Sequence, residues 1–241
     1  MIIDVITIFP EIIKSAINQS IIARALVNNY VEINVLDFRE FSLDKNKRVD
    51  DYSYGGGAGM VIGVQPIVAA LKSIKDYQSA HKILTSPEGV KYNQKKAHEL
   101  KSKKHLIIIC GHYEGIDARI NNYIDETISL GDFILTGGEI AALAIIDSVV
   151  RLIDGVLGNS QSLETESFEM GLLEYDQYTR PEEFDGYSVP EVLLSGNHEK
   201  IRQFRRYNAI EKTYKKRPDL LEEVSLSKED EKILKEIKNK E

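Results

Sequence analysis

The sequence predicts an α/β fold with a mostly parallel sheet, followed by a small C-terminal helical domain. Three observations predict it. Short apolar runs alternate with amphipathic helical patterns over about the first 150 residues, as in a parallel sheet covered on both faces. The composition breaks near residue 158, where GNSQSLETESFEMG (158–171) is small, polar and acidic with no apolar period. Beyond that break the strand pattern disappears and basic helical stretches take over. The expected division is 1–157 as the α/β domain, 158–171 as a linker and 172–241 as the helical domain.

Each element has its own signal. Ile2 to Ile8 is an apolar strand, and Pro10 opens the helix that follows. Ile21 to Leu26 belongs to an amphipathic helix, and Val31 to Leu36 alternates as a half-buried strand should. Gln65 to Ile74 is helical. Lys82–Leu84 and Leu106–Ile109 are short buried strands with a polar helix between them. Thr127 to Leu135 is expected to be a strand pair broken at Gly131. Glu139 to Ile153 carries apolar residues at 140, 143, 146, 149, 150 and 153, a helical stripe. After the linker, Asn197 to Tyr214 is a basic helix, Pro218 starts another turn, and Ser227 is the expected N-cap of a polar helix to Lys238.

Bulk properties narrow the function. With 241 residues and a 42% hydrophobic fraction, the chain can build a sizeable core. The best apolar stretch, Ile140 to Ile146, stops at Asp147, far short of a membrane span. No basic flank precedes an apolar run at the N-terminus, and Cys110 is the single cysteine; both lead to the expectation of a cytoplasmic protein. The net charge of −7 alone argues against nucleic acid. Its distribution argues the other way. Residues 196–218 hold eight basic residues against two acids, a net of +6 that leaves −13 on the rest of the chain. A concentrated basic segment attracts a phosphate backbone, although a charge run of this kind is also compatible with a solvated helix face.

Four glycine-bearing stretches interrupt the periodic pattern: 54–59 (YGGGAG), 85–89 (TSPEG), 110–115 (CGHYEG) and 131–138 (GDFILTGG). The last three each follow an apolar strand, so in a parallel sheet they meet at one crevice. A phosphate cradle would need GxxxxGK[ST] or GxGxxG, and neither is present. These loops carry no lysine at their glycines, and Glu114 and Glu139 stand among them instead. Exposed backbone with acidic neighbours suits a neutral heterocycle and a cation, as in an adenosyl sulfonium. Tight turns needing positive φ are the competing explanation for any one loop.

The motifs DVITIFPE (4–11), VDDYSYGGGAGM (49–60), LTSPEG (84–89), CGHYEGIDAR (110–119), SLGDFILTGGE (129–139), GVLGNSQS (155–162), YTRP (178–181), VPEVLLSGNHEKI (189–201) and KRPDLL (216–221) run almost end to end. With them the chain resembles the TrmD family, the bacterial tRNA (guanine-37-N1)-methyltransferases of the SPOUT, or α/β-knot, superfamily. The resemblance implies a deep trefoil knot, a topology that periodicity cannot reveal. It implies bent S-adenosyl-L-methionine held by Leu84, Thr85, Ser86, Pro87 and Gly89; by Gly111, Tyr113, Glu114 and Gly115; and by Ser129, Leu130, Gly131, Phe133, Leu135, Gly137 and Gly138. It also implies a homodimer whose active sites are each completed by the partner subunit.

For the chemistry, the resemblance places the general base at Glu166, where the family more often has aspartate, and an O6-facing arginine at Arg151. Glu164 is the second candidate for the base. A helix C-terminal dipole contact is the alternative for Arg151. Asp50, Tyr54, Gly55, Gly56, Gly59 and Ser162 match positions near the substrate base. Asp176, Arg180, Arg205, Arg206 and the basic helix would contact the tRNA. His198 is either a substrate contact or a satisfied helix-start residue. Magnesium dependence goes with the family, but no ligand set is visible in the sequence, and no metal ligands are assigned. A knotted methyltransferase acting on another RNA and a non-catalytic RNA-binding module are the competing functions; the glutamate at 166 is the feature in favour of the second.

Overall fold

The computed structural model describes residues 1–158 and 165–240. They form two compact units, one ending at Gly158 and the other comprising the rest of the chain. Among the described residues no helix is long and apolar enough to cross a membrane.

The first unit is built on a five-stranded sheet. Its strands are β1 (Ile2–Thr7), β2 (Glu32–Asp37), β5 (His81–Lys91), β6 (His105–Cys110) and β7 (Glu126–Ser129), in the order β2-β1-β6-β5-β7. Every pairing is parallel. The two-residue strands β3 (Asp50–Asp51) and β4 (Val61–Ile62) make a separate antiparallel pair. The covering helices are α1 (Pro10–Ile17), α2 (Ser20–Val27), α3 (Val64–Ser73), α4 (Gln94–Lys101) and α5 (Glu139–Val150).

The pleat divides the core in two. Ile3, Val5, Ile83, Leu106 and Ile108 point to one face, where they meet Ile13 and Ile17 of α1, Ile22 of α2 and Ile145, Ile146 and Val149 of α5. Ile6, Leu84, Ile107 and Ile109 point to the other, against Ile67, Ala70 and Leu71 of α3. A strand buried on both faces has to be apolar at successive positions, and Leu106-Ile107-Ile108-Ile109 meets that need. Pro10 is the first residue of α1, where its missing N–H costs nothing.

Two expectations about this unit need correction. The 133–135 segment is not a strand: β7 ends at Ser129, and the chain turns there because side chain and backbone bond locally. Gly131 N donates to Ser129 Oγ (3.2 Å), and Phe133 N donates to Gly131 O (2.9 Å). As β7 is the sheet edge, no neighbouring strand offers a ladder to Phe133 and Ile134, which are 54% and 79% exposed. The helix expected over 139–153 ends at Val150, and residues 151–153 continue as turns.

In the second unit, α6 (Glu191–Leu194) packs on α7 (His198–Lys216), and α7, α8 (Pro218–Glu223) and α9 (Lys228–Lys238) surround a small core of Leu172, Ile210 and Ile237. Asn197 caps α7 by accepting from Lys200 N (3.1 Å). Ser227 caps α9 in a reciprocal capping box with Asp230. Buried Thr213 ties the preceding segment to α7, accepting from Leu173 N at 2.9 Å and donating to Ala209 O at 2.7 Å. The strand pattern does not vanish altogether here. Glu183–Phe184 and Tyr187–Ser188 pair as a hairpin, turned by Asp185 and Gly186 at φ 53° and 81°.

Candidate functional site

A bulge in β5 and the loops after β6 and β7 enclose one cavity of about 490 Å3 at the C-terminal edge of the sheet. The first loop is a bulge within a strand. Thr85 and Val90 both stand in register with Ile128, so residues 86–89 are pushed out of the ladder. Gly89 closes that bulge against β7, where a Cβ would lie 2.5 Å from Ile128 N.

The second loop is held from both sides. Gly115 N donates to His112 O (3.2 Å), closing a turn in which Tyr113 takes φ 56° and Gly115 φ 127°. Glu114 N donates to Met60 O (3.2 Å) and Ile62 N to Gly115 O (2.9 Å). These bonds tie the loop to the glycine-rich segment before β4. A Cβ on Gly59 would run into the Glu114 side chain, and Gly55, Gly56, Gly57 and Gly59 all have positive φ. Tyr54 at the head of that segment is fully exposed, and Asp50 sits half-buried in β3.

The third loop passes hard against the other two. Gly138 N donates to Gly111 O (2.8 Å), and Gly137 bridges His112. A Cβ on Gly138 would run into Thr85 Oγ1 and lie 3.0 Å from the Cα of Cys110. A glycine is therefore demanded here by space, since the backbone is ordinary right-handed helix (φ −82°).

All the residues expected around S-adenosyl-L-methionine line this one cavity except Gly89, which packs on β7. His112, Ile116, Ile134 and Thr136 line it too. They went unassigned because nothing in the sequence separates them from the glycines flanking them. His112 lies edge-on to the rings of Phe9 (5.0 Å) and Tyr113 (4.9 Å), and its buried Nδ1 has no hydrogen-bond partner among the described residues.

The two carboxylates have different places. Glu114 faces the cavity. Glu139 is 4% exposed behind it and accepts from Thr7 Oγ1 at 2.6 Å, so it braces the start of α5 against β1. Burial, with Glu139 nearby, pushes the Cys110 thiol well above its usual range, so that it behaves as a small core residue. Among the described residues no group of three or more His, Cys, Asp or Glu side chains is placed to hold a metal ion.

The residues expected to do chemistry stand on both units. Arg151 follows α5 directly and caps it, its N–H donating to Asp147 O (3.1 Å). Glu166 is half-buried in the second unit and lines a cavity of about 460 Å3 there, with His198 at its rim. Ser162 and Glu164 lie outside the described residues.

The basic helix α7 is less available than its composition implies. Arg202, Arg206, Lys212, Lys215 and Arg217 each hold a carboxylate at 2.5–2.8 Å. Arg206 grips Asp230 through two nitrogens, at 2.7 and 2.8 Å, and holds that carboxyl down at about 2. Lys212 pairs with Asp176 at 2.6 Å and lowers its pKa, and the hydrogen bond from Asn208 lowers it further. Arg205 instead lies over the Tyr175 ring at 4.8 Å, and Arg180 is exposed.

Comparison with known proteins agrees with these motifs. The family model described as tRNA (Guanine-1)-methyltransferase TrmD matches residues 1–223. A tRNA (guanine-N(1)-)-methyltransferase of Dictyoglomus turgidum is 53% identical over 236 residues, covering 98% of this chain and 96% of its own. Proteins of the same name from Clostridium botulinum (strain Hall) and Clostridium beijerinckii are each 53% identical over 238 residues, covering 99% of both chains. With a family match over nearly the whole chain and relatives above half identity, the protein belongs to the TrmD family of tRNA (guanine-N1)-methyltransferases.

Proposed function

We propose that the chain transfers the methyl group of S-adenosyl-L-methionine to N1 of guanine 37 of tRNA, next to the anticodon. The observation that carries this reading is the lysine-free cavity made by the three glycine loops in a chain of this family. Its size is that of a small-molecule site. Gly137 and Gly138 let the loops close on one another around the cavity, whose exposed backbone groups suit an adenosine, and Glu114 supplies negative charge toward a cationic sulfonium. The close passage of Gly138 under Thr85 and Gly111 fits the deep trefoil knot of the SPOUT fold.

A sulfonium-bound methyl is already activated, so the protein's work falls on the nucleophile. Neutral guanine carries a proton on N1. Glu166 accepts that proton as general base, and Arg151 holds the charge that grows on O6 with a guanidinium that stays charged throughout. The family resemblance also implies a homodimer in which each active site is completed by the partner subunit. The 1–157 unit is the methyltransferase domain, 158–171 the linker and 172–241 the tRNA-binding domain of a cytoplasmic enzyme. Asp50 and the 54–59 segment lie by the target base, and Arg180 and Arg205 face the tRNA. Among the described residues no group of three or more His, Cys, Asp or Glu side chains is placed to hold the magnesium ion that the family resemblance implies.

The test is transfer of a labelled methyl group into bulk tRNA, with ribosomal RNA as the competing substrate. Label in tRNA alone, lost on addition of the demethylated donor, is the expected result. Donor binding without transfer to any RNA would leave a binding module instead.

A further inference from the structure

The second unit carries a further cavity, lined among others by Arg180 and Arg205. It measures about 550 Å3 and lies beside the 460 Å3 cavity that contains Glu166. Tyr175, Ile201 and Arg205 line both, so they form a wall between the two. The Arg205 guanidinium lies over the Tyr175 ring at 4.8 Å, so that wall carries a cation–π pair.

We propose that the two cavities take two successive unpaired nucleotides of the RNA, one base on each side of the Tyr175–Arg205 wall. The inference rests on the reading of tRNA as the substrate and identifies how the second unit grips it. An aromatic ring capped by a guanidinium offers a π-face to any base, which is how single-stranded RNA is held without strict sequence choice.

Charge decides which part of a nucleotide goes where. The inner cavity is lined by acids and arginines around apolar Leu172 and Leu173; Arg202 and Arg206 are already paired with Glu199 and Asp230, which leaves Glu174 and Glu229 to accept from the N–H groups of a base edge. The outer cavity presents Tyr178 and Arg180 beside Glu182 and Asp176, the latter held by Lys212, and neither Arg180 nor Arg205 has a carboxylate partner among the described residues. These two guanidiniums are left to meet the phosphate that links the bases, while most of the other cations on α7 are already neutralised.

The experiment uses the full-length enzyme and an anticodon stem-loop carrying 2-aminopurine at each loop position in turn. Two adjacent positions should change fluorescence on binding. Tyr175→Leu should weaken RNA affinity by about tenfold or more, the scale of one lost base stack. Tyr175→Phe should stay within about twofold of wild type, and neither should alter donor binding. Because phosphate contacts persist, the salt slope of binding should not change in Tyr175→Leu. Arg205→Lys keeps the charge, loses the planar face and should reproduce the affinity loss at constant slope; it also serves if Tyr175→Leu does not melt as a folded protein. Wild-type affinity in both variants, or a loss that comes with a shallower salt slope, overturns the two-base grip. If wild-type enzyme fails to bind or methylate tRNA at all, the parent reading falls with it.

Discussion

At residue scale the site depends on two kinds of side-chain choice, one set by space and one by proton transfer. Gly138 has no room for a methyl group, because Thr85 Oγ1 and the Cys110 backbone occupy the place of its Cβ. Gly138→Ala should therefore lower stability by about 2 kcal/mol and weaken S-adenosyl-L-methionine binding, as seen by thermal unfolding and calorimetric titration. An alanine variant with unchanged melting and donor affinity would mean the loops part easily. Glu166→Gln keeps the shape and loses the base, so single-turnover transfer should slow by about 10²- to 10⁴-fold with donor binding intact. An unchanged rate would move the base to another carboxylate, with Glu164 the next to substitute. The sequence identified these positions unequally. Glycines at strand ends were legible as loops that meet at one cavity; Gly89 was not separable from them, since its use against Ile128 depends on a four-residue bulge whose register only the paired strand defines. Nor could the sequence tell Glu114, which faces the cavity, from Glu139, which Thr7 holds beneath it.

At the scale of elements, the basic helix shows what composition hides. Its charge excess was plain, but the pairing of Arg206 with Asp230 links residues 24 positions apart and is a property of the α7–α9 packing. Arg206 thereby fastens α9, through a residue that also closes the Ser227 capping box. The Asp230 carboxyl titrates at about 2 when folded, below its unfolded value of about 4. Its stabilising contribution is thus complete above about pH 4 and disappears as the pH falls toward 2. Asp230→Asn should melt α9 earlier at pH 7, by about 1–2 kcal/mol, and the difference from wild type should shrink below pH 4, followed by far-UV circular dichroism. A pH-independent difference would assign the loss to the cap alone. The 133–135 segment taught the reverse lesson. Three apolar residues in a row resemble a strand, but at a sheet edge with a serine–glycine turn before them they become the wall of a cavity.

Across the whole molecule, the class of the first unit followed from strand–helix alternation, because a parallel sheet covered on both faces leaves a continuous apolar signature in its strands. The strand order β2-β1-β6-β5-β7 did not follow from it, and it is the order that sets β6, β5 and β7 side by side and brings their three loops to one cavity. The second unit was legible as helices from its basic stretch after Asn197 and from the Ser227 cap, while its hairpin was too short for any periodicity to register. The first unit carries the candidate donor cavity, and the second carries the candidate base and the proposed RNA-binding surface. The measurement that tests this account most directly is incubation of the enzyme with labelled S-adenosyl-L-methionine and two tRNA transcripts, one with guanine at position 37 and one with adenine. The account predicts label on the guanine transcript alone, mapped to N1 of that base. Equal labelling of both transcripts, or a methyl group mapped elsewhere, would contradict it.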